Sequence, residues 1–192
     1  MKTIIKNLSK SYGAKQIFKD LSLELDEVGL YIITGGSGVG KTTLLRIISG
    51  IDKKYKGYIL NAPKRVSFAF QEYRLFDTLR AIENVHVGRR DAESHKKARE
   101  ILLSLGFSER DLFLYPSELS GGMKMRVSLA RAFFHDSELL LLDEPTKELD
   151  DKNAGLILER IRKEAERRCV LMVTHKSEDI SALSDIANII KL

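Results

Sequence analysis

The chain has 192 residues, 43% of them hydrophobic and 31% charged, which excludes a disordered protein and leaves room for one compact domain with an inserted subdomain. No apolar run approaches the ~18 residues that span a bilayer, Lys2, Lys6 and Lys10 interrupt any N-terminal signal segment, and the single cysteine, Cys169, precludes an internal disulfide and fits a reducing cytosol. The net charge of +5 is spread along helix faces (Arg89, Arg90, Lys96, Lys97 and Arg99, then Arg160, Arg162, Lys163, Arg167 and Arg168) without interleaved aromatics, so it reads as solvated surface and not as a nucleic-acid platform.

In chain order, Thr3 to Leu8 and Leu21 to Leu25 read as strands, the second from the alternation of Leu21, Leu23 and Leu25, with Ser11-Tyr12-Gly13 as a turn between them. Leu30 to Thr34 is a short continuous apolar run, the pattern of a strand buried on both faces of a parallel sheet. A helix from Thr42 to Ser49 follows and stops at Gly50, and Gly57 to Leu60 and Val66 to Phe70 predict two further strands. From Arg74 the character changes. Residues 80–113 are helical in pattern, and a second helix begins after Leu119-Ser120-Gly121-Gly122 with apolar positions Met123, Val127, Ala130 and Phe134. Residues 74–135 are therefore expected to form a helical subdomain inserted between two parts of an α/β core, 1–73 and 136–192. The α/β pattern resumes with a strand over Glu138 to Leu142, a helix from Asp150 to Arg168 with Leu156, Ile157 and Ile161 inward, a strand over Val170 to Val173, a short helix near Ser177 to Leu183 and a last strand, Ile186 to Ile190.

The chemistry begins at the end of the Leu30 to Thr34 strand. Gly35-Gly36-Ser37-Gly38-Val39-Gly40-Lys41-Thr42-Thr43 is the G-x-x-x-x-G-K-[ST] phosphate loop in its required setting, between a strand and a helix. Glycines let successive backbone N–H groups turn toward one anion, and the helix N-terminus adds its dipole. Lys41 is expected to reach the β- and γ-phosphates and Thr42 to sit on a magnesium ion. Leu139-Leu140-Leu141-Leu142-Asp143-Glu144 is a Walker B pattern: Asp143 would hold magnesium and Glu144 would polarise the attacking water. A third strand ends at Thr174-His175. Ligands in parallel sheets bind beyond the carboxyl ends of strands, so the three ends should converge on one site.

With these motifs in order, the chain resembles the nucleotide-binding subunit of an ATP-binding cassette (ABC) transporter over essentially its whole length. That resemblance implies an α/β P-loop NTPase fold with a RecA-like parallel core, a small antiparallel β subdomain and the inserted helical subdomain. It implies ATP and Mg2+ as ligands and hydrolysis of ATP as the reaction. Leu119-Ser120-Gly121-Gly122-Met123 resembles the family's signature motif, which in the family closes over ATP held by a second subunit, giving a head-to-tail sandwich with a second copy or a homologous ATPase. Gln71 matches the glutamine that contacts magnesium, His175 the switch histidine at the γ-phosphate, Tyr12 the aromatic that stacks on adenine, and Asp150 a retained residue of the dimer interface. An integral membrane permease is implied as partner, with this subunit cytoplasmic and peripheral on the inner face of the membrane, and no nucleic acid.

Four departures are visible. Met123 replaces the usual Gln and resembles the nitrate-, sulfonate- or taurine-type importer subunits. Lys147-Glu148-Leu149-Asp150 stands where the family has Ser-Ala-Leu-Asp, setting two long charged side chains at an expected close interface. The Gly50 to Gln71 segment is shorter than usual, so a trimmed antiparallel subdomain is expected, and no C-terminal regulatory domain is expected after the last strand. The competing readings are a soluble ABC-type ATPase, against which the absence of coiled-coil insertions and of a second cassette argues, and a nucleotide-dependent scaffold, for which only the Lys147-Glu148 substitution speaks.

Overall fold

In the computed structural model, which describes residues 2–192, the chain runs β1 (Thr3–Tyr12), β2 (Lys15–Leu25), β3 (Gly29–Thr34), α1 (Lys41–Ile48), β4 (Lys56–Leu60) and β5 (Val66–Ala69). It continues through α2 (Ala81–Val85), α3 (Ala92–Ser104), α4 (Gly121–Phe134), β6 (Leu139–Asp143), α5 (Asp151–Ala165), β7 (Cys169–Val173), α6 (Ser177–Leu183) and β8 (Ala187–Lys191). The first sheet is antiparallel, in the order β2-β1-β4; the second has five strands in the order β5-β6-β7-β3-β8, all parallel.

The parallel sheet divides the molecule into two cores. Leu30 and Ile32, Leu140 and Leu142, and Val170 and Met172 face the cluster that contains α2, α3, α4 and α5. Their neighbours Tyr31 and Ile33, Leu139 and Leu141, and Leu171 and Val173 face α1 and the antiparallel sheet, where Ile5, Leu8, Phe18 and Leu25 are buried. Side chains alternate across a strand, so a sheet covered on both faces needs an apolar residue at every position. β6 and β7 meet that demand: all five residues of each are buried.

Register sets where the strands end. Asp143 and Ile33 both pair with Val173, so the last residues of β6 and β7 stand abreast of Ile33, one residue before the end of β3. Ala69 pairs with Leu142, which brings the end of β5 to the same edge. Gln71, Glu144, His175 and the glycines after Thr34 therefore leave the sheet on one side.

Three elements depart from the sequence expectation. β1 continues through Tyr12 and β2 begins at Lys15, with the reversal at Gly13 and Ala14. Period-two alternation is hidden there because the pairing shifts register between Ile5 and Lys10, with Asn7 and Asp20 at positive φ. The helical pattern of 80–113 is broken: α2 ends at Val85, Gly88 turns at a φ of +82°, and Asp91 starts α3 by accepting the Ser94 N–H at 2.8 Å. The C-terminal part of the predicted Asp150 to Arg168 helix is also not a solvated basic face. Arg168 is buried, and with Arg160 and Arg167 it converges on the fully buried Glu164 at 2.7–2.9 Å. Arg168 also donates to the His135 carbonyl and the Ser137 hydroxyl, tying the α5 end to the approach to β6.

Burial alone pushes Glu164 up, but Arg168, Arg167 and Arg160 outweigh it and hold the carboxyl below its ordinary value. Its stabilising contribution is complete above that ordinary value and is lost as pH falls through the depressed folded one. Glu164→Gln leaves Arg168 buried beside no counter-charge, and is expected to lower the unfolding free energy by about 3–5 kcal/mol in urea titrations at neutral pH. The gap to wild type should close on acidification. A loss under about 1 kcal/mol would equate the cluster with an exposed surface pair.

Candidate active site

The loop between β3 and α1 is built by glycines. Gly35, Gly38 and Gly40 have φ of +144°, +76° and +106°. Gly40 is the N-cap of α1 and offers no side-chain cap, and no acidic residue lies in the first turn, so the orphan N–H groups of α1 face the loop free for an anion. A Cβ at Gly40 would stand 2.3 Å from Ile17 Cγ2 and 2.7 Å from the Phe18 ring, so only glycine lets the loop sit against β2. The Lys41 ammonium, 6% exposed, donates to the carbonyls of Gly35 and Gly36 at 3.0 and 2.8 Å and lies folded over its own loop.

From the next residue of α1 the Thr42 hydroxyl donates to Asp143 Oδ2 at 2.7 Å, across the sheet edge. Burial pushes the Asp143 carboxyl up; the Thr42 hydrogen bond and the cations Arg46 and Lys41 only partly offset it. A buried carboxylate with one hydroxyl partner has lone pairs left for a cation. No group of three or more His, Cys, Asp and Glu suited to a metal is present among the described residues. A divalent ion here would rest on Asp143 and Thr42, with Gln71 on the cavity wall and the other positions left to phosphate oxygens and water. That sparse all-oxygen set suits Mg2+.

Glu144 leaves β6 at a φ of +53°, a conformation that costs a non-glycine residue about 1–3 kcal/mol. Its N–H donates to the Val173 carbonyl at 2.9 Å, so the strained turn is pinned to β7. Its carboxylate has both oxygens engaged: Oε1 lies 3.4 Å from His175 Nε2, and Oε2 lies 3.0 Å from Lys147 Nζ. Ser37, Gly38, Gly40, Lys41, Thr42, Thr43, Gln71, Asp143, Glu144 and His175 all line one cavity of about 310 Å3, to which Ile17, Lys147 and Val173 also contribute. A second cavity of about 420 Å3 adjoins it through Ser37, Glu144, Lys147 and His175.

Other predicted positions stand apart from this cavity. Tyr12, 49% exposed, lines a separate hollow with Arg46, Asp52 and Phe70. Its phenol donates to Asp52 Oδ2 at 2.9 Å, and Lys10 Nζ sits 4.5 Å from its ring centroid. Ser120 caps α4 by accepting the Met123 N–H at 3.2 Å, and Leu119 is buried in the helical core. Gly121 and Gly122 lie against Glu148 and Leu149 of the same chain. Asp150 caps α5 by accepting from Asn153, whose backbone N–H and side-chain amide hold its carboxyl below the ordinary value. Gly36 and Val39 complete the phosphate loop without lining the cavity, and Val39 packs toward Gly35.

Sequence reasoning missed the frame behind the site. Asp179 of α6, buried, accepts from the hydroxyls of Thr146 and Thr174 at 2.5 and 2.7 Å. Lys176 adds a bond to the Thr146 carbonyl at 2.6 Å. This binds the turn after Glu144 to the turn that carries His175. In the sequence, Ser177-Glu178-Asp179 reads as an acidic first turn of a helix, which hides the one carboxylate that points inward. The Lys147–Glu144 contact carried no sequence signal beyond the unusual residue type.

The family model described as ABC transporter matches residues 18–147. The bacitracin export ATP-binding protein BceA of Halalkalibacterium halodurans is 36% identical over 199 residues, covering 88% of this chain and 77% of that protein. An aliphatic sulfonates import ATP-binding protein, SsuB 3 of Pseudomonas savastanoi, is 36% identical over 190 residues, covering 94% and 70%. A dimeric ATP-binding cassette solved in a post-hydrolysis state with ADP and Pi superposes with a TM-score of 0.86 at 31% identity, covering 100% of this chain and 94% of that one. The chain belongs to the ABC transporter family, as one of its ATP-binding cassettes.

Proposed function

We propose that the chain hydrolyses ATP with Mg2+ at the cavity between the phosphate loop and the ends of β6 and β7, and so powers a membrane transporter. The observation that carries this reading is the meeting of Lys41, Thr42, Asp143, Glu144 and His175 on one cavity wall. Lys41 would exchange the Gly35 and Gly36 carbonyls for the β- and γ-phosphates, while the N–H groups of Gly36 to Thr43 cradle the phosphate chain. Thr42, Asp143 and Gln71 would hold Mg2+, which when bound neutralises charge on the phosphates. Glu144 would orient and polarise the attacking water, and His175 would meet the γ-phosphate from the β7 side. Tyr12 is assigned to adenine; its half-exposed ring supports that role.

The division into a core, 1–73 and 136–192, and a helical signature subdomain, 74–135, belongs to the same proposal. Leu119 to Met123 lies at the N-terminus of a 14-residue helix and away from this chain's own phosphate loop. A second copy, or a homologous ATPase, would receive that helix end on its nucleotide, with Asp150 at the interface; the dimeric state of the solved relative supports this. No helix of the described residues is long and apolar enough to cross a membrane. The proposal includes an integral membrane permease as partner, with this subunit on the cytoplasmic face, a reading supported by the transporter names of the relatives. BceA is named for export and SsuB for import at the same 36% identity. The likeness thus follows the ATPase and not the direction of transport.

Glu144→Gln is expected to bind ATP with unchanged affinity while turnover falls by about 10²–10⁴-fold. The trapped ATP should shift the protein toward a dimer in size-exclusion chromatography. Wild-type turnover in this variant would remove Glu144 from the mechanism. Lys41→Ala forfeits charge-assisted contacts and should weaken ATP binding by at least about tenfold in a fluorescence titration; equal affinity would refute the phosphate-loop assignment.

A further inference from the structure

The turn from Glu144 to Asp150 carries two charged side chains that fold back on their own chain. Lys147 Nζ lies 3.0 Å from Glu144 Oε2, with the lysine side chain 49% exposed and the glutamate 18%. His175 Nε2 faces the other carboxylate oxygen at 3.4 Å. Each oxygen of this carboxylate thus already faces a nitrogen, so a water that reaches Oε2 shares it with a fixed ammonium. The next residue fixes the lysine. Glu148 Oε2 accepts a short hydrogen bond from the Tyr73 phenol, and the space it occupies exists because Gly121 has no Cβ, which would lie 3.0 Å away.

Tyr73 is itself anchored to the helical layer. Arg131 of α4 donates to the carbonyls of Tyr73 and Arg74 at 3.1 and 2.9 Å, and Tyr73 packs with Leu149 against the same core. The backbone of the turn is closed as well: the Lys147 N–H donates to the Glu144 carbonyl at 3.2 Å and the Leu149 N–H to that of Thr146 at 3.2 Å. A series of contacts therefore runs from α4 through Tyr73 to Glu148, and the backbone carries it one residue further to Lys147, whose ammonium faces Glu144.

We propose that Lys147 is a positioning residue that withholds the Glu144 carboxylate from water, and that Tyr73 and Glu148 hold it in that role until α4 moves. The inference rests on the assignment of Glu144 to water activation given above. In the subunit alone the clamp keeps ATP turnover low. A displacement of α4 draws Tyr73 and Glu148 away, the turn shifts, and Glu144 Oε2 is released. Hydrolysis is thereby made to depend on the position of the helical layer.

The test compares the full chain, without membrane partner, as wild type, Lys147→Met, Lys147→Arg, Tyr73→Phe and the Lys147→Met/Tyr73→Phe pair. Lys147→Met keeps the aliphatic stem and removes the charge. It should raise kcat by about two- to fivefold, the worth of a half-exposed ion pair, with ATP affinity by fluorescence titration unchanged within about twofold. Lys147→Arg can still pair with the carboxylate and should restore the low kcat. Tyr73→Phe should raise kcat by a smaller factor, and the double variant should do no more than Lys147→Met, because both act through one contact. Thermal melting of each variant controls for folding, and Lys147→Ser replaces Lys147→Met should the latter melt early. An unchanged or lowered kcat in the neutral variants overturns the proposal. So does weaker ATP binding without a gain in kcat, which would make Lys147 a phosphate ligand. Wild-type protein that neither binds nor hydrolyses ATP would instead overturn the functional reading.

Discussion

Ile33, Val173 and Asp143 stand side by side in three parallel strands, and the position of every reacting group follows from that register. Backbone hydrogen bonds hold the three strand ends level, so the residues that follow them emerge at one edge without needing contacts of their own. A slip of one residue in β6 would turn Asp143 to the opposite face and carry Leu142 to the edge. The alternating burial of Leu139 to Leu142 against two different cores makes such a slip costly, because all four side chains would change cores at once. The site thus inherits its geometry from hydrophobic packing some distance away.

That geometry is tightened at the edge itself by polar contacts that span elements. The Thr42 hydroxyl joins α1 to β6, the Glu144 N–H joins the turn after β6 to β7, and Asp179 joins both turns to α6. All but the Thr174–Asp179 bond link elements distant in sequence. Positive φ at Glu144 is tolerated because the turn is held on both sides. Strain of this kind aims a carboxylate where a relaxed backbone would not.

The parallel core was legible in the sequence because burial on both faces leaves a mark that needs no partner to be read: unbroken apolar runs ending in glycine or acid. The phosphate loop was legible because backbone conformation dictates its residue types. The antiparallel hairpin was less so, since bulges at Asn7 and Asp20 spoil the period of two and one face is solvent. The buried Glu164–arginine cluster looked like surface charge, because a helix face gives no sign of which basic residues fold inward. The same blindness concealed Asp179 and the Lys147–Glu144 pair. These contacts depend on where separate turns meet, and composition carries no information about that.

The charged turn at Lys147 and Glu148 also bears on how two copies could approach. Long charged side chains at a close contact oppose association when each must be stripped of water alone. Here Lys147 is paired with Glu144, and Glu148 is satisfied by Tyr73, before any partner arrives. The Lys147 charge, already matched within its own chain, loses less on burial than a free one, and Glu148 keeps a hydrogen bond from the neutral Tyr73 phenol in place of part of its hydration. Replacement of small residues at this turn is therefore compatible with a sandwich dimer. In the proposed dimer, a surface that pressed on Glu148 would press, through the same turn, on the lysine that faces Glu144.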